Sequence, residues 1–137
     1  MHLSEHELDL DALLAETADD RSGALVVFGG TVRLDDGVQT IDYTAYAPLA
    51  EKALAGIEAE TLKTFDIRHC RLQHRIGRLA LGELSVLVVV RAAHRGPAFA
   101  AARWAIDTLK ARVPVWKEEL FKDGRQSFVE GQPLQTP

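Results

Sequence analysis

The amino-acid sequence predicts an α+β domain built on a mixed, largely antiparallel sheet. Segments with strand-like and helix-like apolar patterns are interleaved along the 137 residues, yet some strands have only a turn between them. Residues 67–79 and 84–93 both read as strands and are separated by Leu81-Gly82-Glu83. A parallel crossover needs a dozen or more residues. The two strands are therefore predicted to be antiparallel neighbours, which places the domain in the α+β class.

The other elements follow from capping, turn and periodicity signals. A short helix is predicted over residues 9–18, with Asp9 as its N-cap. A strand is predicted over residues 23–33, and its Gly29-Gly30 pair indicates a bulge or a close approach of another segment. The remaining elements are a turn at 35–37, a strand at 39–46, a helix from Pro48 to about Phe65, a helix from Pro97 to just before Pro114, and short extended pieces over 115–130.

Both long helices carry apolar residues at spacings of three and four, which predicts one face of each in the core. The residues expected on the core face of the first are Leu49, Ala53, Leu54, Ile57 and Leu62. Those expected on the core face of the second are Phe99, Ala102, Ile106, Leu109 and Val113. The strand over 84–93 is apolar throughout, so we expect it to be buried on both faces.

Composition indicates a single soluble domain over residues 1–137, with 47% hydrophobic and 26% charged residues. The longest apolar run, 84–90, is far shorter than the ~20 residues that cross a bilayer. The first residues lack the pattern of a secretion signal, so a cytoplasmic location is expected and no membrane association. The net charge of −4 repels nucleic acid, so no nucleic-acid partner is expected.

Cys70 is the single cysteine, which excludes an internal disulfide. His69 and His74 lie close by in sequence, but in a strand Cys70 and His74 share one face while His69 points to the other. Two ligands on one strand do not make a zinc site, so no metal is expected. Cys70 is expected in the core.

Cationic side chains stand at the ends of several predicted elements. Arg33 ends the strand with the glycine pair, and His94-Arg95 precedes the helix that begins at Pro97, where free amides favour an anion. Lys110 and Lys117 flank the break at Pro114. Arginine binds phosphate through its planar fork, and a lysine beside other cations has a lowered pKa. Together these residues are candidates for a pocket that takes a phosphorylated or otherwise anionic small molecule.

Each of these residues also has a purely structural interpretation. A lysine in the last turn of a helix complements the helix dipole without any catalytic role. Arg33 and Arg95 are also consistent with ordinary surface residues, and His94 with a capping or core histidine. Spacing alone leaves both interpretations open.

Four motifs occur in a fixed order: HRIG at 74–77, AHR at 93–95, DTLK at 107–110 and PVWKEE at 114–119. This combination resembles the large, catalytic subunits of molybdopterin synthase, the MoaE family, and the likeness extends from about Asp9 to Glu130. It departs from the family pattern at Thr44, at Leu49, at Gly96-Pro97 and at Phe128.

The resemblance implies an α/β-hammerhead-like fold with an additional small β subdomain. It also implies an enzyme, a sulfurtransferase of molybdenum cofactor biosynthesis, that converts cyclic pyranopterin monophosphate into molybdopterin. Sulfur would come from the C-terminal thiocarboxylate of a small ubiquitin-like carrier subunit ending in Gly-Gly. The family forms a central homodimer with a small subunit at each end, a heterotetramer. No cofactor is implied for the catalytic subunit itself.

Residue by residue, Lys110 and Lys117 match the family's catalytic lysines. Arg33, His94 and Arg95 match residues that bind the substrate, and Arg125 is a lesser candidate from the C-terminal segment. Two other functions remain as alternatives: a non-catalytic module that binds a phosphorylated pterin, and a module that only docks the carrier. Retention of both lysines favours catalysis, because a passive binder needs charge but not this pair.

Overall fold

The computed structural model describes residues 1–33 and 37–121 with their side chains, and residues 126–129 as backbone. The elements in chain order are β1 (Leu3–Ser4), α1 (Leu10–Glu16), β2 (Ala24–Thr31), β3 (Val38–Ala45), α2 (Ala47–Thr64), β4 (His69–Arg75), β5 (Gly77–Ala80), β6 (Leu84–Ala92), α3 (Arg95–Arg112), β7 (Val115–Phe121) and β8 (Gln126–Val129).

Among the described residues, the strands form two four-stranded sheets. The first sheet has the order β1-β4-β6-β2 and the second has the order β5-β3-β7-β8. Within the described part of the chain, β1 and β4 are the one parallel pair, and every other pairing is antiparallel. The predicted α+β class, with a mixed, largely antiparallel sheet and a second small β unit, is confirmed.

The strand predicted over 67–79 is two strands. β4 pairs antiparallel with β6, as expected, with His74 opposite Val86. Gly77 then takes a φ of +98°, a conformation that residues with a Cβ rarely adopt. β5 leaves the first sheet at this point and pairs with β3 in the second. The chain segment around Gly77 therefore connects the two sheets.

The main core lies between the first sheet and the long helices. α3 contacts β2 and β6, and α2 contacts β4 and α3. β6 is buried from Ser85 to Val90, as its apolar run predicts. On the opposite face, Leu13 of α1 and the preceding Leu8 pack on Leu87 and Val89. The first sheet is therefore covered on both faces, which explains why β6 does not alternate with polar residues.

The helix faces differ from the predicted ones at three large side chains. Phe99 is 62% exposed, Leu49 52% and Leu62 41%. α3 instead buries a stripe of small residues, Ala98, Ala101, Ala102 and Ala105, with Ile106 and Leu109. Alanines at spacings of three and four make the same periodic pattern, and their small size lets the helix lie close to the sheet.

Gly29 and Gly30 have both of the properties expected of a glycine pair in a strand. The pairing of β2 with β6 shifts register between Gly30 and Thr31. A Cβ at Gly29 would lie 2.9 Å from Leu84 Cδ2, and one at Gly30 would lie 2.6 Å from Val86 Cγ1. A side chain at either position would therefore force the neighbouring side chain on β6 to shift.

The short strand β1 has no signal in the sequence, and side-chain contacts fix it in place. The backbone amides of His2 and Leu3 donate to Glu51 on α2 at 2.9 and 2.8 Å. The His2 ring lies between Glu51 Oε2 at 2.9 Å and Glu58 Oε1 at 2.8 Å. In the part of the chain that the structure describes, no helix is long and apolar enough to cross a membrane.

Candidate active site

Lys110 lies in the last turn of α3, where a cation also complements the helix dipole. Its side chain is half-buried, and three causes lower the pKa of its amine. Burial is the largest, followed by the positive charges of Lys117 and Arg33, while Asp107 acts in the opposite direction. Each positive neighbour makes the ammonium less favourable. Lys110 is therefore the lysine that loses its proton more readily than an ordinary surface lysine.

Lys117 reaches the same region from a different element. α3 ends at Arg112, the Val113–Pro114 segment turns the chain, and β7 starts at Val115. On β7, Lys117 is the register partner of Tyr43 on β3. Its Nζ lies 3.7 Å from Glu119 Oε1, which partly balances its charge. The break at Pro114 thus places the two lysines on different elements, and both side chains line one cavity.

A small cavity of about 60 Å³ lies where the end of α3 meets both sheets. Its walls are formed by Tyr43, His74, Ser85, Val86, Leu109, Lys110 and Lys117. Pockets that enclose small-molecule ligands are typically ~300–1,000 Å³. The cavity is therefore too small for a pterin but large enough for water, and a substrate would contact the lysines from outside it.

The polar residues behind the lysines are nearly closed to solvent. Tyr43 and Ser85 are each 7% exposed. Burial raises the pKa of Tyr43, and a hydrogen bond with Ser85 acts against that shift. Ser85 Oγ donates to the carbonyl oxygen of Gly30 at 3.3 Å. Tyr43 also meets the ring of His74 edge to face, with the ring centroids 5.1 Å apart.

Sequence reasoning did not include His74, Tyr43 or Ser85 among the site residues. For His74 a signal was present, because strand alternation places it on the same buried face as Cys70. The structure confirms that face: Cys70 is 3% and His74 1% exposed, while His69 is half-buried on the other side. Tyr43 and Ser85 have no comparable signal, since neither lies in a pattern that distinguishes it from other strand residues.

Arg33 follows β2 at the surface and acts electrostatically on Lys110. It therefore belongs to the same cationic region as the two lysines. The residue is exposed and lies on the side from which a ligand would approach the lysines.

His94 and Arg95 lie elsewhere. His94 is the N-cap residue of α3 and Arg95 its first residue, so the helix starts two positions before the predicted Pro97. Both side chains are exposed and line an open depression of about 450 Å³ beside β2 and Phe99. At ~1.5 Å rise per residue, the helix separates Arg95 from Lys110 by about 22 Å.

Within one chain the five candidate residues thus form two groups. Lys110, Lys117 and Arg33 are at the C-terminal end of α3, and His94 with Arg95 is at its N-terminal end. The expectation that all five meet in one pocket is not met by a single copy of the chain, because a straight helix lies between the groups. Arg125 lies outside the described residues.

Within residues 1–33 and 37–121, no group of three or more His, Cys, Asp or Glu side chains is arranged to hold a metal ion.

The family model and the relatives that match this chain indicate the same family. Residues 3–112 match the family model described as MoaE protein. The molybdopterin synthase catalytic subunit of Nostoc sp. is 41% identical over 126 residues, which cover 89% of this chain and 76% of that protein.

Solved structures agree. The crystal structure of molybdopterin synthase from Staphylococcus aureus matches with a TM-score of 0.88 and 34% identity, covering 93% of this chain and 95% of that one. A complex of subunits 1 and 2 of molybdopterin-converting factor from Helicobacter pylori shares the fold, with a TM-score of 0.79 at 23% identity, covering 93% of this chain and 88% of that one. The chain therefore belongs to the MoaE family, the catalytic subunits of molybdopterin synthase.

Proposed function

We propose that this chain transfers sulfur from the C-terminal thiocarboxylate of a small ubiquitin-like carrier to cyclic pyranopterin monophosphate, forming the dithiolene of molybdopterin. The observation that carries the proposal is the pairing of Lys110 and Lys117 at one cavity, with a lowered pKa at Lys110. In each transfer a carbon–sulfur bond forms on the pterin side chain, a carbon–oxygen bond of the same carbon breaks, and the carbon–sulfur bond of the carrier breaks. The displaced oxygen leaves as water or remains on the phosphate when its cyclic ester opens. Water supplies the oxygen of the carboxylate that the carrier regains.

The two lysines have complementary roles in this reaction. Lys110 gives up its proton more readily than an ordinary lysine, which suits it to accept and return a proton during sulfur attack. Lys117, with its ammonium beside Glu119, supplies positive charge to the oxygen that gains electron density when the thiocarboxylate reacts. Lys110 is the residue proposed to act directly on the reacting groups.

Arg33, His94 and Arg95 are proposed to hold the phosphate of the substrate. Arginine forks bind phosphate oxygens in pairs, and the first amides of α3 favour an anion beside His94 and Arg95. Because these two residues lie about 22 Å from Lys110 along α3, a second copy of the chain must bring them to the lysines. We therefore propose a homodimer in which each substrate site uses residues of both copies.

The carrier is proposed to be a separate small subunit, and the assembly a heterotetramer with the homodimer at its centre. The relatives are named as catalytic subunits, which is consistent with an enzyme of more than one kind of subunit. The carrier's narrow Gly-Gly tail suits an approach to the lysines from outside the 60 Å³ cavity. The protein is proposed to act in the cytoplasm, where a single free thiol such as Cys70 stays reduced.

A reconstituted assay tests the proposal. Purified protein is mixed with a thiocarboxylated carrier and cyclic pyranopterin monophosphate, and molybdopterin is measured as its fluorescent oxidation product. Product is expected with the thiocarboxylate form and none with the carboxylate form of the same carrier. Complex formation without product would contradict catalysis and favour a module that only docks the carrier. Binding of the pterin, with neither product nor a complex with the carrier, would favour a phosphopterin-binding module.

Mixing two inactive variants tests the shared site. Lys110→Ala and Arg95→Ala remove residues from the two separate groups. If each site uses both copies, random exchange of subunits leaves about one quarter of the sites with both residues intact, and that share of activity returns. If each site lies within one copy, the mixture stays inactive. Mixing Lys110→Ala with Lys117→Ala is the control, because those two residues belong to the same group in either case.

A further inference from the structure

His74 is a buried ionisable side chain to which the proposed sulfur transfer gives no role. It lies on β4, between β1 and β6, and is 1% exposed. Burial lowers the pKa of its imidazole to about 4, the hydrogen bond with Arg75 acts against that shift, and the charge of Lys110 acts with it. At physiological pH the ring is therefore neutral.

The hydrogen bond of the ring determines which nitrogen carries the proton. Nδ1 lies 2.7 Å from the backbone carbonyl oxygen of Arg75. A carbonyl oxygen only accepts, so Nδ1 must carry the hydrogen and donate it. A neutral imidazole has one N–H, which leaves Nε2 of His74 as an acceptor.

That acceptor belongs to a residue that lines the same cavity as both lysines. A water molecule needs ~10–15 Å³ of such cavity volume, so the cavity of about 60 Å³ has room for at least one water. A buried water needs two to four polar partners, and Tyr43, Ser85 and Lys110 supply them together with His74. The cavity is thus suited to a bridge between the imidazole and the ammonium of Lys110.

Among the described residues, most of the charged groups that act on Lys110 are positive. The charged groups that act on it are Lys117 and Arg33, both positive, and Asp107, which is one turn earlier on α3. An ammonium has three N–H donors, and a half-buried one is costly unless these donors find acceptors. A neutral histidine is a suitable partner, because it accepts a hydrogen bond without cancelling the charges that lower the pKa of Lys110.

We propose that His74 is a positioning residue for Lys110: its Nε2 accepts a hydrogen bond from the Lys110 ammonium through a water in the cavity. The proposal rests on the role of Lys110 in sulfur transfer. The bond restricts the lysine side chain to the conformations that reach the reacting groups, and small losses of orientation are costly to catalysis. His74 itself does not touch the substrate, because it lies behind the lysine.

Two variants of His74 separate its two nitrogens. His74→Asn keeps an N–H close to the place of Nδ1, for the Arg75 carbonyl, but removes the acceptor at Nε2. His74→Gln places an amide at the reach of Nε2 and loses the group at Nδ1. Leu72→Val is the matched control for packing, because Leu72 is 0% exposed, lies on the same face of β4 and is not part of the cavity wall.

Activity and titration are then measured in the full protein with its carrier. In His74→Asn we expect kcat to fall by about tenfold or more, with KM within about twofold, because orientation and not binding is lost. His74→Gln is expected to keep kcat within about threefold of the wild type. Leu72→Val is expected to lower the melting temperature and leave kcat unchanged.

The titration of Lys110 is followed by NMR of its ¹³Cε signal, which requires no turnover. An acceptor stabilises the charged amine, so the titration is expected to move to lower pH in His74→Asn and to stay near its wild-type position in His74→Gln. An unchanged titration and an unchanged kcat in His74→Asn would overturn the proposal. The proposal would also be overturned if Leu72→Val lost as much kcat as His74→Asn while the two variants had the same melting temperature.

Failure of the proposed sulfur transfer is a different result. In that case the wild-type protein forms no molybdopterin, while the NMR difference between His74→Asn and His74→Gln persists and supports the link between His74 and Lys110.

Discussion

Lys110 and Lys117 line the same small cavity, although one stands in the last turn of a helix and the other on the strand that follows. Lys117 is the second-largest cause of the lowered pKa of Lys110, after burial. The positive charge of one lysine thus helps to tune the amine of the other, and the turn at Val113–Pro114 is the segment that makes this possible.

Removal of the Lys110 amine is expected to abolish most of the catalytic activity. Lys110→Ala should lower kcat by about 10²-fold or more, the typical contribution of a positioned acid or base. Lys63→Ala is the matched control, since Lys63 is an exposed lysine in the last turn of the equally long helix α2. The fluorescent product assay measures both. Near-normal turnover in Lys110→Ala would assign Lys110 to the helix dipole alone.

The charged side chain of Lys110 is expected to lower the free energy of unfolding of the protein. Because its pKa is lowered from 10.5, the folded protein binds the proton less tightly than the unfolded chain. The penalty is fully present below the folded-state pKa of Lys110, and stability is regained as the pH rises from there toward the ordinary value. Lys110→Met removes the penalty and should raise the melting temperature at pH 7 by about 2–4 °C.

Thermal unfolding at several pH values measures this effect. The difference between Lys110→Met and wild type should shrink as the pH approaches 10.5, where the wild-type lysine loses its charge in both states. A variant that is less stable than the wild type at pH 7 would show that Lys110 is held by favourable contacts that outweigh its burial.

Substitution by alanine is expected to have opposite effects on stability at Gly30 and at Gly56. Gly30→Ala would place a Cβ 2.6 Å from Val86 Cγ1 and should destabilise the protein by about 1–3 kcal/mol. Gly56 lies inside α2, and a Cβ there meets nothing within 4 Å. Gly56→Ala should therefore stabilise the protein by about 0.5–1 kcal/mol. Urea unfolding measures both changes, and equal effects at the two positions would contradict the close approach at Gly30.

Cys70 is expected to be unreactive in the folded protein. It is 3% exposed, and burial, followed by the negative charge of Glu58, raises the pKa of its thiol to about 12. The thiolate is the reactive form, so a thiol reagent at pH 8 should label the chain only after unfolding. Rapid labelling of the native protein would show local opening of β4.

Much of this architecture can be predicted from local patterns. The antiparallel pairing of β4 with β6 follows from the short connection between them, which has fewer residues than a parallel crossover needs. The capping role of Asp9 follows from its residue type and position. The close approach at Gly29 and Gly30 follows from the absence of a side chain. Each of these depends on neighbours in sequence, so sequence alone contains the information.

The helix faces could not be predicted in the same way. Spacing identifies an amphipathic helix but does not distinguish a face of large side chains from a face of alanines when both fit the period. Phe99 is exposed and Ala98 is buried because the first sheet and α2 lie close to α3, and that proximity is a property of the assembled core. The split of the predicted strand at Gly77 likewise depends on a second sheet that offers β5 a partner.

For the candidate site, the sequence by itself determined which residues are candidates: two lysines around Pro114, arginines and a histidine at element ends, and the ordered motifs of the MoaE family. Only the tertiary structure decided which of these residues lie close together in the folded chain. It puts Lys110 and Lys117 together with His74, and puts His94 and Arg95 at the far end of α3. The physical reason is that burial, mutual repulsion and hydrogen bonding act through space between residues far apart in sequence, so residue type alone does not determine them.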